Sequence, residues 1–233
     1  MGQKKLIRFE ELKTFPNVLQ YPTGMKGMWH SFFKNQNPVV LELACGKGEY
    51  AVGLGRMHPQ KNFVGVDVKG NRIWKGAKTA MQEGLNNVAF LRTQIDKITD
   101  YFGKDEVSEI WITFPDPQLR LSKIKKRLTH PRFLRSYQQF LKPKGSVHLK
   151  TDSPDLYFFT KKVIDLYGLD LLIDFEDLYS ESNLAEELKI KTHYEALDIA
   201  QSKRVHYLQF KINKELPVEK DTELKELFRE ESR

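Results

Sequence analysis

Val39-Val40-Leu41-Glu42-Leu43-Ala44-Cys45-Gly46-Lys47-Gly48 decides how this chain folds. An apolar run interrupted by one glutamate reads as a buried strand, and it hands over at a glycine turn to a helical pattern that lasts to about residue 57. The same alternation spreads outward from there. Residues 62–68 read as a second strand, 71–84 as a helix stopped by Gly84, 88–92 as a third strand and 107–114 as a fourth. A helix over 132–141, a fifth strand over 146–150 and a helix over 155–167 follow, and 205–212 alternates as an edge strand should. Strands separated by helices predict an α/β fold with a doubly wound, mostly parallel sheet, here expected to hold seven strands with an antiparallel edge strand. Residues 1–37 read as an N-terminal extension, 38–212 as the catalytic or binding domain, and 213–233 as a charged tail.

The bulk numbers narrow the class. With 233 residues, 40% of them hydrophobic and 30% charged, the chain can bury one sizeable core. A single cysteine, Cys45, excludes an intramolecular disulfide and suits a reducing cytoplasm, which is the expected location. Lys4 and Lys5 are followed by no apolar core, so no secretory signal is expected. No run approaches the ~20 apolar residues that span a bilayer, so no membrane association is expected. Six histidines lie scattered without ligand spacing, so no metal is expected.

The glycine turn sits where doubly wound sheets bind ligands, at the carboxyl ends of the strands, and Gly46 and Gly48 let a ligand approach the backbone. Ala51 in the third position keeps a dinucleotide fingerprint open. Glu42, near the end of the first strand, tilts against it, because a pyrophosphate would meet a carboxylate. S-adenosylmethionine has no phosphate and carries an ammonium and a sulfonium. Asp67, closing the second strand, can accept from both ribose hydroxyls, and Asp96, after the third, from the adenine amine. The blander alternative is a plain turn with solvated acids at the strand ends.

Phe114-Pro115-Asp116-Pro117 closes the fourth strand, with two prolines stiffening the backbone about one carboxylate. The segment 118–151 that follows holds ten Lys or Arg and no Asp or Glu, whereas the rest of the chain has 28 basic against 31 acidic residues. The formal charge of +7 is therefore local, which favours a polyanion surface over general solubility. Arg120, Lys123, Lys125, Lys126 and Arg127, then Arg132 and Arg135, abut the expected methyl site.

These residues resemble the bacterial tRNA (guanine(46)-N7)-methyltransferases. The resemblance rests on Leu41 to Glu49, on Phe114-Pro115-Asp116-Pro117 with its basic follow-on, on Lys150-Thr151-Asp152, and on Thr192-His193-Tyr194-Glu195 before a final strand. It covers roughly residues 38 to 212, and implies a Rossmann-like class I enzyme moving a methyl from S-adenosylmethionine to N7 of a guanine in the tRNA variable loop. Carried over residue by residue, it puts Glu42, Asp67, Asp96 and Asp116 around the cofactor, with Asp116 also catalytic. It puts Arg120, Asp152, Thr192, His193, Tyr194 and Glu195 at the substrate, and Ser122, Lys123, Lys125, Lys126 and Arg127 on the RNA. Two departures stand out. Gln118-Leu119-Arg120 replaces the family's common Trp-Pro-Lys, which removes a stacking ring and changes the geometry of the cation. Asp67 replaces a frequent glutamate.

Other readings compete. Thr192-His193-Tyr194-Glu195 also spells a helix capping box. Cys45 and Trp111 read most simply as core residues. A methyltransferase acting on another RNA or other nucleic acid or on a small molecule, an RNA-binding protein with a vestigial cofactor site and an NAD-dependent dehydrogenase remain the alternatives. The oligomeric state is open, monomer or homodimer, and so is whether residues 1–37, with Lys4, Lys5 and Arg8, clamp RNA or cover the sheet.

Overall fold

The computed structural model describes residues 2–193, 195–197 and 204–230. The chain begins with α1 (Gly2–Thr14), β1 (Val18–Gln20) and α2 (Trp29–Phe33), and continues through β2 (Val39–Leu43), α3 (Glu49–Met57), β3 (Asn62–Asp67), α4 (Gly70–Gln82) and β4 (Val88–Arg92). The second half holds β5 (Val107–Thr113), α5 (Pro131–Gln138), β6 (Leu141–Thr151), α6 (Pro154–Tyr167), β7 (Asp170–Phe175), β8 (His206–Lys211) and α7 (Lys220–Glu230).

The strands form one sheet in the order β1-β4-β3-β2-β5-β6-β8-β7. Every residue of β2 and β3 is buried, as strands covered by helices on both faces must be. β1 to β6 pair in parallel, and β8 pairs antiparallel with both β6 and β7. The α/β, mostly parallel architecture is as the sequence predicts, with two refinements. The sheet has eight strands rather than seven, and β8 lies one place inside the edge that β7 occupies. β1 has only three residues, and β7 is largely exposed, so neither develops the alternation that marks a strand.

The strand order reverses at β2, which runs between β3 and β5, and this switch point opens a crevice at the carboxyl ends. The turn after β2 is drawn into it by tight packing. A Cβ on Gly76 of α4 would stand 2.5 Å from the Lys47 carbonyl oxygen, so only glycine there lets α4 meet the turn. Gly48, at φ +71°, has no room for a side chain against Phe90.

The flanking segments are woven into the same body. Leu12 of α1 is buried against α4, where Gly70 leaves space for Phe9 and Leu12. Trp29 is fully buried and stacks on Phe102 at 5.2 Å, while the Glu106 carboxylate accepts from the backbone N–H groups of Gly27, Trp29 and Gly103. At the other terminus α7 docks on α6 through buried Leu224 and the Phe228 ring against Phe159, and Asp221 accepts from Arg135 and Tyr167. Among the described residues no helix is long and apolar enough to cross a membrane, and no cluster of His, Cys, Asp or Glu is placed to hold a metal ion.

Candidate functional site

The carboxyl ends of β2, β3 and β4 frame a cavity of about 370 Å³. Asp67 and Asp96 stand on its lining with Thr93, and Val68, Ile95, Leu128 and Phe133 supply apolar walls. Asp67 closes β3 and organises the turn: Oδ2 accepts from the Gly46 N–H at 3.0 Å and Oδ1 from the Lys69 N–H at 2.7 Å. Each oxygen keeps a second lone pair for a ligand. Asp96 is more open and is paired with the Arg132 guanidinium. The Thr93 hydroxyl is buried on the same wall and finds no partner among the described residues, an arrangement that a bound polar ligand would complete.

Glu42 behaves differently from its neighbours. It is buried beneath the turn, where Oε2 accepts from the Ala51 N–H at 2.8 Å and Oε1 from the Thr113 hydroxyl at 3.0 Å. It thereby ties β2 to β5 across the switch point and occupies an N–H in the first turn of α3. Helix N-termini of this kind are where dinucleotide folds seat a pyrophosphate. Here a protein carboxyl group already fills the position, which keeps the argument against a dinucleotide but moves it from repulsion to occupancy. Burial pushes the Glu42 carboxyl up from 4.5 to about 8, only partly offset by these two hydrogen bonds. Cys45 is buried at the same turn, and burial with the nearby acids pushes its thiol well up, which suits a core residue.

Asp116 lies exposed on the loop after β5, where Oδ1 accepts from the Gln118 N–H at 3.0 Å. The loop is bracketed by Phe114 at φ 47° and Gln118 at φ 50°, left-handed conformations that cost non-glycine residues energy and recur at functional sites. From there Arg120, Ser122, Lys123, Lys125 and Lys126 form an exposed cationic ridge along the 3-10 segment Leu121–Lys126. Lys126 lines the same cavity as Asp67 and Asp96, so ridge and cavity share a wall.

The rest of the basic stretch is not part of that ridge. Arg127, expected on the RNA, is 5% exposed and packs its guanidinium over the Phe159 ring at 4.6 Å, with Nε donating to the Gln118 carbonyl. Burial lowers its pKa. Arg135 is spent on Asp221, and Lys142 and Lys144 sit at the start of β6, the opposite end of the strand from the crevice. Sequence alone cannot see this, because a linear run of cations winds through a loop, a helix and both ends of a strand.

The segment expected at the substrate is divided. Thr192 is buried and its hydroxyl accepts from the Glu195 N–H at 3.1 Å, which is one half of a capping box; the Glu195 carboxylate does not complete it. His193 is exposed, Asp152 is half-buried just past β6, and Tyr194 lies outside the described residues. Glu195 turns inward to Lys150, a fully buried lysine at the end of β6 to which the sequence assigns no role of its own. Lys150 Nζ donates to the Leu188 and Ile190 carbonyls at 2.9 and 3.0 Å, and lies 3.1 Å from the Tyr179 hydroxyl and 3.2 Å from Glu195 Oε2. The rings of Tyr50, Phe114 and Tyr179 lie 5.4–5.7 Å from the same ammonium. Burial lowers its pKa, and Glu195 opposes the shift. The available signal was a lysine ending an otherwise buried strand, Ser146-Val147-His148-Leu149-Lys150.

Comparison with known proteins bears on this geometry directly. The family described as "Putative methyltransferase" matches residues 36–208. A tRNA (guanine-N(7)-)-methyltransferase of Bacteroides thetaiotaomicron is 46% identical, covering 92% of this chain and 88% of its own length. One of Christiangramia forsetii is 47% identical, covering 91% of this chain and all of its own length. Among solved structures, the 16S rRNA methyltransferase KamB shares the fold with a TM-score of 0.58 at 16% identity, covering 79% of this chain and 92% of its own. The carboxyl-edge cavity, the proline-flanked aspartate and near-full-length relatives at this identity agree: the chain belongs to the bacterial tRNA (guanine-N7)-methyltransferase family.

Proposed function

We propose that this protein transfers the methyl group of S-adenosylmethionine to N7 of guanine 46 in the tRNA variable loop, through the domain spanning residues 38–212. One observation carries the reading. The cavity with Asp67, Asp96 and the unpartnered Thr93 hydroxyl shares Lys126 with an exposed cationic ridge, so a nucleoside-type ligand and a polyanion are brought to adjoining surfaces. The residues suit the cofactor. Asp67 has lone pairs left for the ribose hydroxyls, Asp96 and Thr93 offer hydrogen bonds to the adenine edge, and the apolar walls suit its ring. Gly46 and Gly48 keep the turn close. Glu42 acts from beneath, holding the start of α3 and the turn in place rather than touching the ligand.

S-adenosylmethionine, when bound, supplies an electrophilic methyl on a sulfonium. The protein's share is alignment and charge. Guanine N7 carries a free lone pair and no proton, so no general base is needed, and in-line positioning dominates the barrier. Positive charge passes to the purine as the bond forms. Asp116, held on a stiff loop by its bond to the Gln118 N–H, is suited to stabilise that charge and orient the base. Arg120 and the ridge cations hold the phosphates alongside, and Lys150 acts as a positioning residue by anchoring Leu188, Ile190 and Glu195 beside the end of β6.

The test is to treat unmodified tRNA with the purified protein and labelled S-adenosylmethionine, then map the product. Label in tRNA, with strand scission at the variable-loop guanine after mild alkali and aniline, is the expected result. Label elsewhere in the tRNA overturns the position, and label only in another RNA overturns the substrate.

A further inference from the structure

A second cationic surface lies on the other side of the glycine turn from the ridge. A hollow of about 540 Å³ is lined by Arg8, Lys47, Arg72, Trp74, Lys75 and His193, among others. A second, of about 450 Å³, shares Lys47 and Lys75 with it and continues to Ile190 and Lys191. The two form one trough, running from α1 across α4 and the turn to the residues that lead into Thr192. The turn divides it from the methyl-donor cavity, presenting Ala44 to the cavity and Lys47 to the trough.

Three features set this trough apart from an ordinary solvated face. First, its cations converge from separate elements: Arg8 from α1, Lys47 from the turn, Arg72 and Lys75 from α4, and Lys191 from the segment before Thr192. Second, its acids do not balance them. Among the described residues Glu49 is the one carboxylate on the lining of the two hollows. Glu11, nearby, accepts from the Trp74 indole N–H at 2.6 Å, and Glu83 is taken by Arg56. Burial, with the charges of Lys75, Arg72 and Arg8, lowers the Lys47 pKa against the opposing pull of Glu49. Third, Trp74 is not available as a stacking platform. The Arg8 guanidinium covers its ring at 4.7 Å, and Lys78 approaches it at 4.8 Å. The surface therefore suits phosphates rather than bases.

We propose that the trough seats a second stretch of the tRNA phosphate backbone, so that one tRNA is held at two cationic surfaces flanking the methyl-transfer site. The proposal rests on tRNA being the substrate. It assigns to α1 and α4 a binding role that the basic segment 118–151 does not suggest.

Salt-dependent binding tests it. Equilibrium binding of unmodified tRNA is measured by anisotropy for the wild type, for Arg8→Ala/Lys75→Ala in the trough and for Lys123→Ala/Lys125→Ala on the ridge, from low salt to ~1 M. Each lost phosphate contact removes roughly 0.7–0.9 from the log–log salt slope. The trough pair is thus expected to flatten the slope by roughly 1.4–1.8 and weaken binding roughly 15- to 30-fold near ~0.15 M, converging with wild type toward ~1 M. Combining both pairs should add the two slope changes at 1:1 stoichiometry. Unchanged melting temperature and unchanged calorimetric affinity for S-adenosylmethionine guard against misfolding. A trough pair that binds tRNA as wild type does, a second tRNA per chain, or a loss confined to S-adenosylmethionine affinity overturns the proposal. A wild type that neither binds nor methylates tRNA overturns the substrate reading beneath it, a distinct result.

Discussion

Replacing Lys150 with methionine keeps most of the side-chain volume while deleting the ammonium, and the structure gives the cost. Lys150 is fully buried, and its ion-pair partner Glu195 has a side chain only 7% exposed. Removing one member of such a pair leaves the other charge buried, here with the Tyr179 hydroxyl as its remaining side-chain donor, at up to about 3–5 kcal/mol, and the Leu188 and Ile190 carbonyls lose their donor as well. If the whole domain bears that cost, at about 2–4 °C per kcal/mol for a chain of this size, the melting temperature falls by roughly 6–20 °C. The segment has a cheaper escape, which is to lift Leu188–Glu195 off the sheet. Lys150→Met should therefore show a smaller loss of global stability, with faster amide exchange over 186–195 and a raised KM for tRNA. Glu195→Gln provides the control. In the double variant no carboxylate is stranded, so the cycle should show a coupling of at least about 2 kcal/mol in summed local and global terms. A Lys150→Met protein with unchanged exchange, melting within about 1 °C of wild type and no coupling to Glu195→Gln would refute the anchoring role.

Further outcomes follow from the same geometry. Asp116→Asn should slow methyl transfer by roughly 10²–10³-fold yet leave the rate flat between about pH 6 and 9, and a wild-type rate that rises through an ionisation the variant lacks would show that Asp116 takes a proton. Glu42 binds a proton in the folded state up to about pH 8 but only to about 4.5 when unfolded, so its contribution to stability is full below 4.5 and is lost as pH rises through 8. Glu42→Gln can keep both contacts, accepting from Ala51 and donating to Thr113. Urea melts of the variant should lack a wild-type decline, of the order of a few kcal/mol, over that window. Arg127→Ala should lower stability by removing its packing on Phe159 while leaving the salt slope of tRNA binding unchanged, because the side chain faces inward.

Most of the strands, though not β1 or β7, the glycine turn and the three acids after successive strands could be read along the chain, because each is a local pattern. Period and punctuation mark the strands, and a carboxylate at a strand's end stays there however the strand is placed. Asp67 and Asp96 accordingly meet at one cavity, and the capping bond from the Glu195 N–H to Thr192 forms as its spacing requires. What sequence could not rank was the fate of each charge. Ten cations in one acid-free stretch look alike in a line, yet folding exposes Lys123, Lys125 and Lys126, buries Arg127 and Lys150, and carries Lys142 and Lys144 to the far end of β6. Burial and pairing are set by what packs from elsewhere: Phe159 on Arg127, Asp221 on Arg135, Glu195 on Lys150. Tertiary structure likewise gathers Arg8, Lys47, Arg72 and Lys75, up to 67 positions apart, into one trough, because α1 folds onto α4 and Gly76 lets the turn close on that helix. Local periodicity fixes which groups end each strand, whereas desolvation and neighbouring charge, which depend on the whole packed body, decide which of them can act on a ligand.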